Sequence, residues 1–141
     1  MSILTLAQAN TIIDGAIAAA RAKGYKPMAV VVVDSGGYLK AAQREDGASM
    51  FCSDIATGKA WASVAMGTAS REVHKRAQGN PVFFNALANT AQGKFLPQTG
   101  AVLIKNVDGQ VLGAVGASGS TSDEDEEVCI QGIIDAGLVA G

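Results

Sequence analysis

The sequence is poor in the residues that usually announce a site. It has one histidine, His74, and two cysteines, Cys52 and Cys129. The cysteines stand far apart, which argues against a cysteine-built metal framework. They read as free, mostly buried thiols of a reducing compartment. His74, in SREVHKRAQ, has charged neighbours and no second ligand at metal spacing. It reads as a solvated histidine near a helix end. No serine sits in a nucleophile-elbow sequence, which removes a Ser-His-Asp triad. Eleven basic and thirteen acidic residues leave a formal charge of -2, and no run of Lys or Arg occurs, which argues against nucleic-acid binding. No segment approaches the roughly 18 consecutive apolar residues of a membrane span. The N-terminal MSILTLAQANTIIDG has neither a basic region nor a secretory apolar run. The expectation is a cytoplasmic protein with no membrane partner.

Aromatic residues make up only 5%, while 17 glycines and many alanines are present and hydrophobic residues reach 48%. Small side chains imply helices lying close on a sheet, or backbones touching between subunits. The 141 residues suit one domain, 1–141, with no linker or repeat dividing it. Thr5 and Gln8 form a capping-box pattern before an apolar stripe of Ala9, Ile12, Ile13, Ala16, Ile17 and Ala20, and Gly24 stops that helix. Met28 to Val33 is a continuous β-branched run, read as a strand covered on both faces. DSGG turns the chain back into a second strand, Tyr38 to Arg44. A second hairpin pairs Ala101–Asn106 with Gln110–Ala117 around Asp108-Gly109. Between the hairpins, Ser49 to Ala77 reads as one long helix. A shorter helix follows, with Asn80 as cap and Pro81 at its first position. The last helix carries Cys129, Ile130, Ile133, Ile134 and Leu138 on one face. This order predicts an α+β domain with a central antiparallel sheet.

The densest chemistry lies in GASGSTSDEDEEVCIQG, where glycines run into five acids, Asp123 to Glu127. The loop lacks the Lys-Ser/Thr ending of a phosphate loop, and the carboxylates would repel phosphate. Either Thr121 with Glu124 or Asp123 with Glu126 would cap the helix. The stripe through Cys129 and Ile130 places Asp123 and Glu126 toward the sheet and leaves Glu124 and Glu127 in water. The glycines of GASGS, Gly116 and Gly119, allow close approach of helix to strand, or of ligand to backbone. Arg44 and Asp46 form a corner after the first hairpin, as a mutual ion pair or as a carboxylate clamp, and Asp46 or Ser49 caps the next helix. Lys59 stands on a face of small residues. It either snorkels to the rim, pairs with Glu126 or Asp123, or binds an anionic ligand. Trp61, Phe83 and Phe84 either line a pocket or belong to core.

Taken together, VVVDSGGYLKAAQREDGAS, IATGKAWASVA and VLGAVGASGSTSDEDEEVCIQG resemble the GlcG/HbpS-like family, which includes the C-terminal domain of PduO-type proteins. The matching positions are Asp34, Gly37, Arg44, Asp46-Gly47, Ile55-Ala56, Lys59-Ala60 and Gly113 through Glu126. The resemblance implies a profilin-like fold, a curved antiparallel sheet of two hairpins and about four to five strands with flanking helices, and a homo-oligomer. It also implies haem as one possible ligand, since some relatives bind haem. No axial ligand carries over, because His74 lies outside the matching blocks. Gln78 to Gln98 is the least family-like stretch and would shape specificity.

Two functional expectations follow. The first is an oligomeric small-molecule-binding domain, with tetrapyrrole as one ligand. The second is a cofactor-independent lyase, isomerase or hydrolase acting on a small organic acid. There Lys59, Glu126 and Asp123 would be catalytic, and Arg44, Asp46, Ser118 and Gly119 would bind the ligand, with no metal. A third possibility is a purely structural role, with small-residue faces packing between subunits.

Overall fold

Thr5 and Gln8 behave as their spacing predicts. Thr5 Oγ1 accepts the Gln8 N–H at 3.1 Å, and Gln8 Oε1 accepts the Thr5 N–H at 3.0 Å. This box opens α1 (Leu6–Lys23), which ends at Gly24 in the left-handed region. The computed structural model describes residues 2–141. After α1 come β1 (Ala29–Asp34), β2 (Leu39–Arg44), α2 (Met50–Met66), α3 (Ser70–Gly79) and α4 (Pro81–Thr90). The chain then forms β3 (Ala101–Lys105), β4 (Val111–Ser118), α5 (Ser122–Asp135) and β5 (Val139–Ala140). The five strands form one sheet in the order β2-β1-β4-β3-β5. Every pairing is antiparallel. The α+β arrangement with two hairpins is therefore the one expected, and β1 against β4 joins the hairpins.

Alternation along the central strands sorts the core. Val30, Val32, Val102, Ile104 and Val115 pack with Ile12, Ile13, Val128, Cys129 and Ile133 of α1 and α5. Val31, Val33, Leu103 and Ala114 pack with Ala56 and Ala60 of α2. The sheet is thus covered on both faces, as the unbroken apolar run of β1 requires. Small residues set the spacing of these layers. A Cβ on Gly116 of β4 would stand 2.4 Å from the Ala56 carbonyl oxygen of α2. A Cβ on Gly132 of α5 would stand 2.2 Å from the Ile12 carbonyl oxygen of α1.

Three local expectations need correction. The long helix breaks at Gly67, where α2 ends with φ of 70°, and α3 starts after Ala69. Ser70 then tethers α3 to the sheet, its Oγ accepting the Ala101 N–H at 2.8 Å and donating to the Ala101 carbonyl at 3.2 Å. Such a tertiary bond leaves no periodic trace in sequence. Asn80 precedes α4 but its side chain makes no capping bond, while Pro81 does occupy the first turn. The expected count of four to five strands covers β5, but the sequence did not locate it, because two residues are too few to show a pattern. Trp61, Val73, Phe84 and Phe95 form a satellite cluster joining α2, α3 and α4, whereas Phe83 is exposed.

Candidate functional site

The acid run starts α5 through Thr121. Its Oγ1 accepts the Glu124 N–H at 3.2 Å, and Glu124 Oε1 accepts the Thr121 N–H at 3.3 Å. Of the two boxes the spacing allowed, this one forms. The face that turns inward differs from the one expected. The buried residues of α5 are Asp125, Val128, Cys129, Gly132 and Ile133, and Ile134 is exposed. Gly132 is the physical reason. It is the contact point with α1, so the stripe runs through it rather than one residue later.

Asp125 is therefore the inward acid. It is 1% exposed, and its Oδ2 lies 3.3 Å from Nζ of Lys59, which is 2% exposed. Lys59 Nζ also donates to the Ala117 carbonyl at 3.0 Å, and Asp125 Oδ1 accepts the Ser120 N–H at 3.1 Å. The pairing of Lys59 with Glu126 or Asp123 is thus corrected to Asp125. Burial raises the Asp125 pKa, and the Lys59 charge opposes that rise. Cys129 sits beside them, its Sγ 3.7 Å from the Gly100 carbonyl oxygen. Burial first, then the Asp125 charge, push its thiol pKa well up. This knot joins α2, β4 and α5 and is closed to solvent.

Asp123 and Glu126 are held elsewhere. Asp123 is exposed, and both acids engage Arg71 of α3, which sequence reasoning did not single out. Arg71 Nε lies 3.2 Å from each oxygen of Glu126, and its Nη2 also meets Asp123. These hydrogen bonds, Asp123 first and Glu126 next, raise the Arg71 pKa. Glu127 is exposed but not unpartnered, since it accepts from Lys23 and Tyr25. Arg44 Nη1 donates to the Ala48 carbonyl at 2.7 Å rather than to Asp46. Ser49, not Asp46, caps α2. Glu45 holds the corner, with Arg21 Nε at 2.9 Å and the Met28 N–H at 3.0 Å. Ser118 is buried, and a Cβ on Gly119 would meet the Pro27 carbonyl oxygen at 2.2 Å. Chain packing therefore takes up the close approach at Gly119. The convergence of Arg44, Lys59, Asp123 and Glu126 is not formed, because Arg44 bonds the Ala48 carbonyl, Lys59 pairs with Asp125, and the two other acids share Arg71.

A separate cleft opens along α2. It holds about 650 Å³ between the β1–β2 turn, α2 and the segment after α4. Asp34 Oδ1 fixes the turn by accepting the N–H groups of Gly36 and Tyr38 at 2.9 and 3.0 Å. Gly37, with φ of 84°, lets the turn approach Trp61, since a Cβ there would stand 2.9 Å from the indole nitrogen. Asp54, Thr57, Gly58 and Trp61 form the α2 wall. Their spacing of three, four and seven residues is a helical face that the sequence already contains. Lys94 completes the rim. The Leu96 N–H bonds the Gly58 carbonyl at 3.2 Å and anchors that segment to α2. A second cleft of about 530 Å³, lined by Phe51, Ile55, Phe95 and Leu96, shares Asp54, Gly58 and Gly93 with the first. Sequence reasoning named Trp61 here but missed Tyr38, Asp54 and Lys94 as cleft residues. Among the described residues, no three His, Cys, Asp or Glu side chains are grouped to hold a metal. No helix among them is long and apolar enough to cross a membrane.

A family model described as "Haem degrading protein HbpS-like" matches residues 4–134. The corrinoid adenosyltransferases PduO of Citrobacter freundii and Salmonella typhimurium are 29% and 30% identical over 102 residues. That alignment covers 72% of this chain, which spans about 30% of the length of those relatives. A solved PduOC:haem complex superposes with a TM-score of 0.86 at 26% identity, covering 97% of both chains. ORFY of Klebsiella pneumoniae gives 0.86 at 26% identity, covering 97% of this chain and 92% of its own. A double mutant of Streptomyces reticuli HbpS gives 0.80 at 26% identity, covering 95% and 87%.

Proposed function

Because the chain belongs to the HbpS-like family, we propose that it is a cytoplasmic, homo-oligomeric small-molecule-binding domain that takes a tetrapyrrole such as haem. The observation that carries this reading is the likeness, along nearly the whole of both chains, to a domain solved with haem. Self-association is supported by exposed apolar side chains on α2 and α4, Met50, Phe51, Val82 and Phe83.

The donor set in the cleft suits haem. Its iron needs an axial ligand, commonly His, Cys, Met or Tyr. Cys129 is sealed in the core, and the Tyr25 hydroxyl is engaged by Glu127. Tyr38 is 74% exposed and lines the cleft, so in this reading Tyr38 would hold the iron. Trp61 supplies an aromatic wall, and Lys94 supplies a cation for a haem carboxylate. When bound, the iron would supply redox and gas-ligand chemistry. The chain's own part is to orient the ring and limit water on its inner face.

Haemin titration tests the reading. A saturable Soret shift is expected, weakened at least tenfold by Tyr38→Phe and unchanged by His74→Ala. Absence of a saturable shift in the wild-type protein overturns it.

A further inference from the structure

The geometry points to a narrower chemistry for this cleft: a seat for a flat, conjugated carboxylic acid that also carries an N–H donor, with Lys94 and Trp61 binding the carboxylate and Asp54 the N–H. The inference rests on the tetrapyrrole reading of the same cleft and narrows it to a metal-free ligand, since in haem the iron holds the pyrrole nitrogens and no N–H remains.

Lys94 makes no ion pair or side-chain hydrogen bond among the described residues, although it lines a cleft wall. Its position is set by the chain. Gln92 and Gly93 both adopt positive φ, 56° and 79°, and turn the backbone onto α2. Trp61 Nε1 is a second open donor. Among the described residues it has no hydrogen-bond partner, and the one fully buried side-chain polar atom without a partner is Ser63 Oγ, so the indole N–H is not sealed from solvent. Its ring is held edge-on to Phe95, with centroids 6.5 Å apart and planes at 88°, so the donor is directed rather than free to rotate. An ammonium and an N–H on one cleft suit the two oxygens of a carboxylate.

The flat shape follows from the walls. Gly36, Gly37 and Gly58 remove side chains, and the rings of Tyr38 and Trp61 replace them. Aromatic faces bordering glycine backbone favour a thin conjugated body over a branched aliphatic one. Asp54 adds polarity. Its carboxylate is not within ion-pairing distance of Lys94 or any other cation among the described residues, and it would repel a purely anionic ligand. The Thr57 hydroxyl donates to the Ser53 carbonyl at 2.7 Å, so it too offers the cleft only lone pairs. Asp54 and Thr57 are therefore acceptors, and they favour a ligand that carries an N–H besides its acid.

Pyrrole-2-carboxylate is a minimal probe, with its methyl ester and furan-2-carboxylate as controls. Trp61 is the only tryptophan, so fluorescence excited selectively at tryptophan reports this cleft. The acid should quench saturably and bind at least tenfold more tightly than the ester. Lys94→Met should remove that preference by weakening the acid far more than the ester, and Asp54→Ala should remove the preference for pyrrole over furan. Circular dichroism of both variants should match the wild type, since both side chains are at the surface. Acid binding that is absent or indifferent to Lys94→Met overturns the inference, whatever haemin does. Lys94-dependent acid binding without a haemin Soret shift supports the inference and sinks only the haem reading.

Discussion

The Lys59 ammonium of α2 reaches around the end of the sheet to the Asp125 carboxylate of α5, 3.3 Å away, with both side chains sealed from solvent. Breaking such a pair from one side strands a buried charge, at a cost of about 3–5 kcal/mol. Asp125→Asn and Lys59→Met should each lose stability on that scale in urea denaturation. The double variant Lys59→Met/Asp125→Leu should recover most of the loss, because neither charge remains. Strictly additive losses would show that the two side chains are not coupled.

Gly132 marks the closest approach of α5 to α1. Its substitution by alanine places a methyl 2.2 Å from the Ile12 carbonyl oxygen, and overpacking of this kind costs about 1–3 kcal/mol. Gly79 is the contrast, since a Cβ there meets nothing within 4 Å. Gly79→Ala should be neutral or stabilise by up to about 1 kcal/mol. Equal denaturation midpoints for both variants would refute the close-contact argument.

Hydrogen bonds from Lys23 first, then Tyr25, lower the Glu127 pKa. The Ser120 hydroxyl and the Thr121 N–H do the same for Glu124. A depressed carboxylate stabilises the fold above its unfolded pKa and loses that contribution as pH falls through its folded value. Asp125 has the opposite sign, because its raised pKa favours the folded state at low pH and that contribution fades as pH rises. Melting temperature against pH should therefore fall less steeply on the acid side in Glu127→Gln than in the wild type. The same Glu127 bond pushes the Tyr25 pKa up to about 12. Spectrophotometric titration should find Tyr25 ionising only near pH 12, and Glu127→Gln should bring that ionisation down.

Cys129 is buried with a raised thiol pKa, whereas Cys52 is half-buried near the start of α2. A thiol reagent applied to native protein should modify Cys52 first and reach Cys129 only on unfolding. Cys52→Ser should leave almost no native reactivity. Fast modification of that variant would mean that the Lys59–Asp125 knot opens readily.

The hairpins were legible because strand burial and turn residues are local signals. Val30 to Val33 has no polar residue to expose, and the Asp108-Gly109 turn needs no distant partner. The break at Gly67 was less so, because the alanine-rich sequence on both sides is helical in character and Ser70 bonds a strand thirty residues away. In the candidate site, Lys59 stood out as a lysine on a small-residue face, but its partner did not. Choosing among Asp123, Asp125 and Glu126 required the rotation of α5, and contact with α1 at Gly132 sets that rotation.

What the sequence by itself determined is the capping box that opens α1, the two hairpins and the family the chain belongs to. Each follows from neighbours a few residues apart or from a motif. Tertiary structure alone decided which acid faces inward, that Arg71 gathers Asp123 and Glu126, and that Tyr38, Trp61 and Lys94 border one cleft. These relations join residues from different elements, and they depend on how closely glycine lets one backbone lie against another.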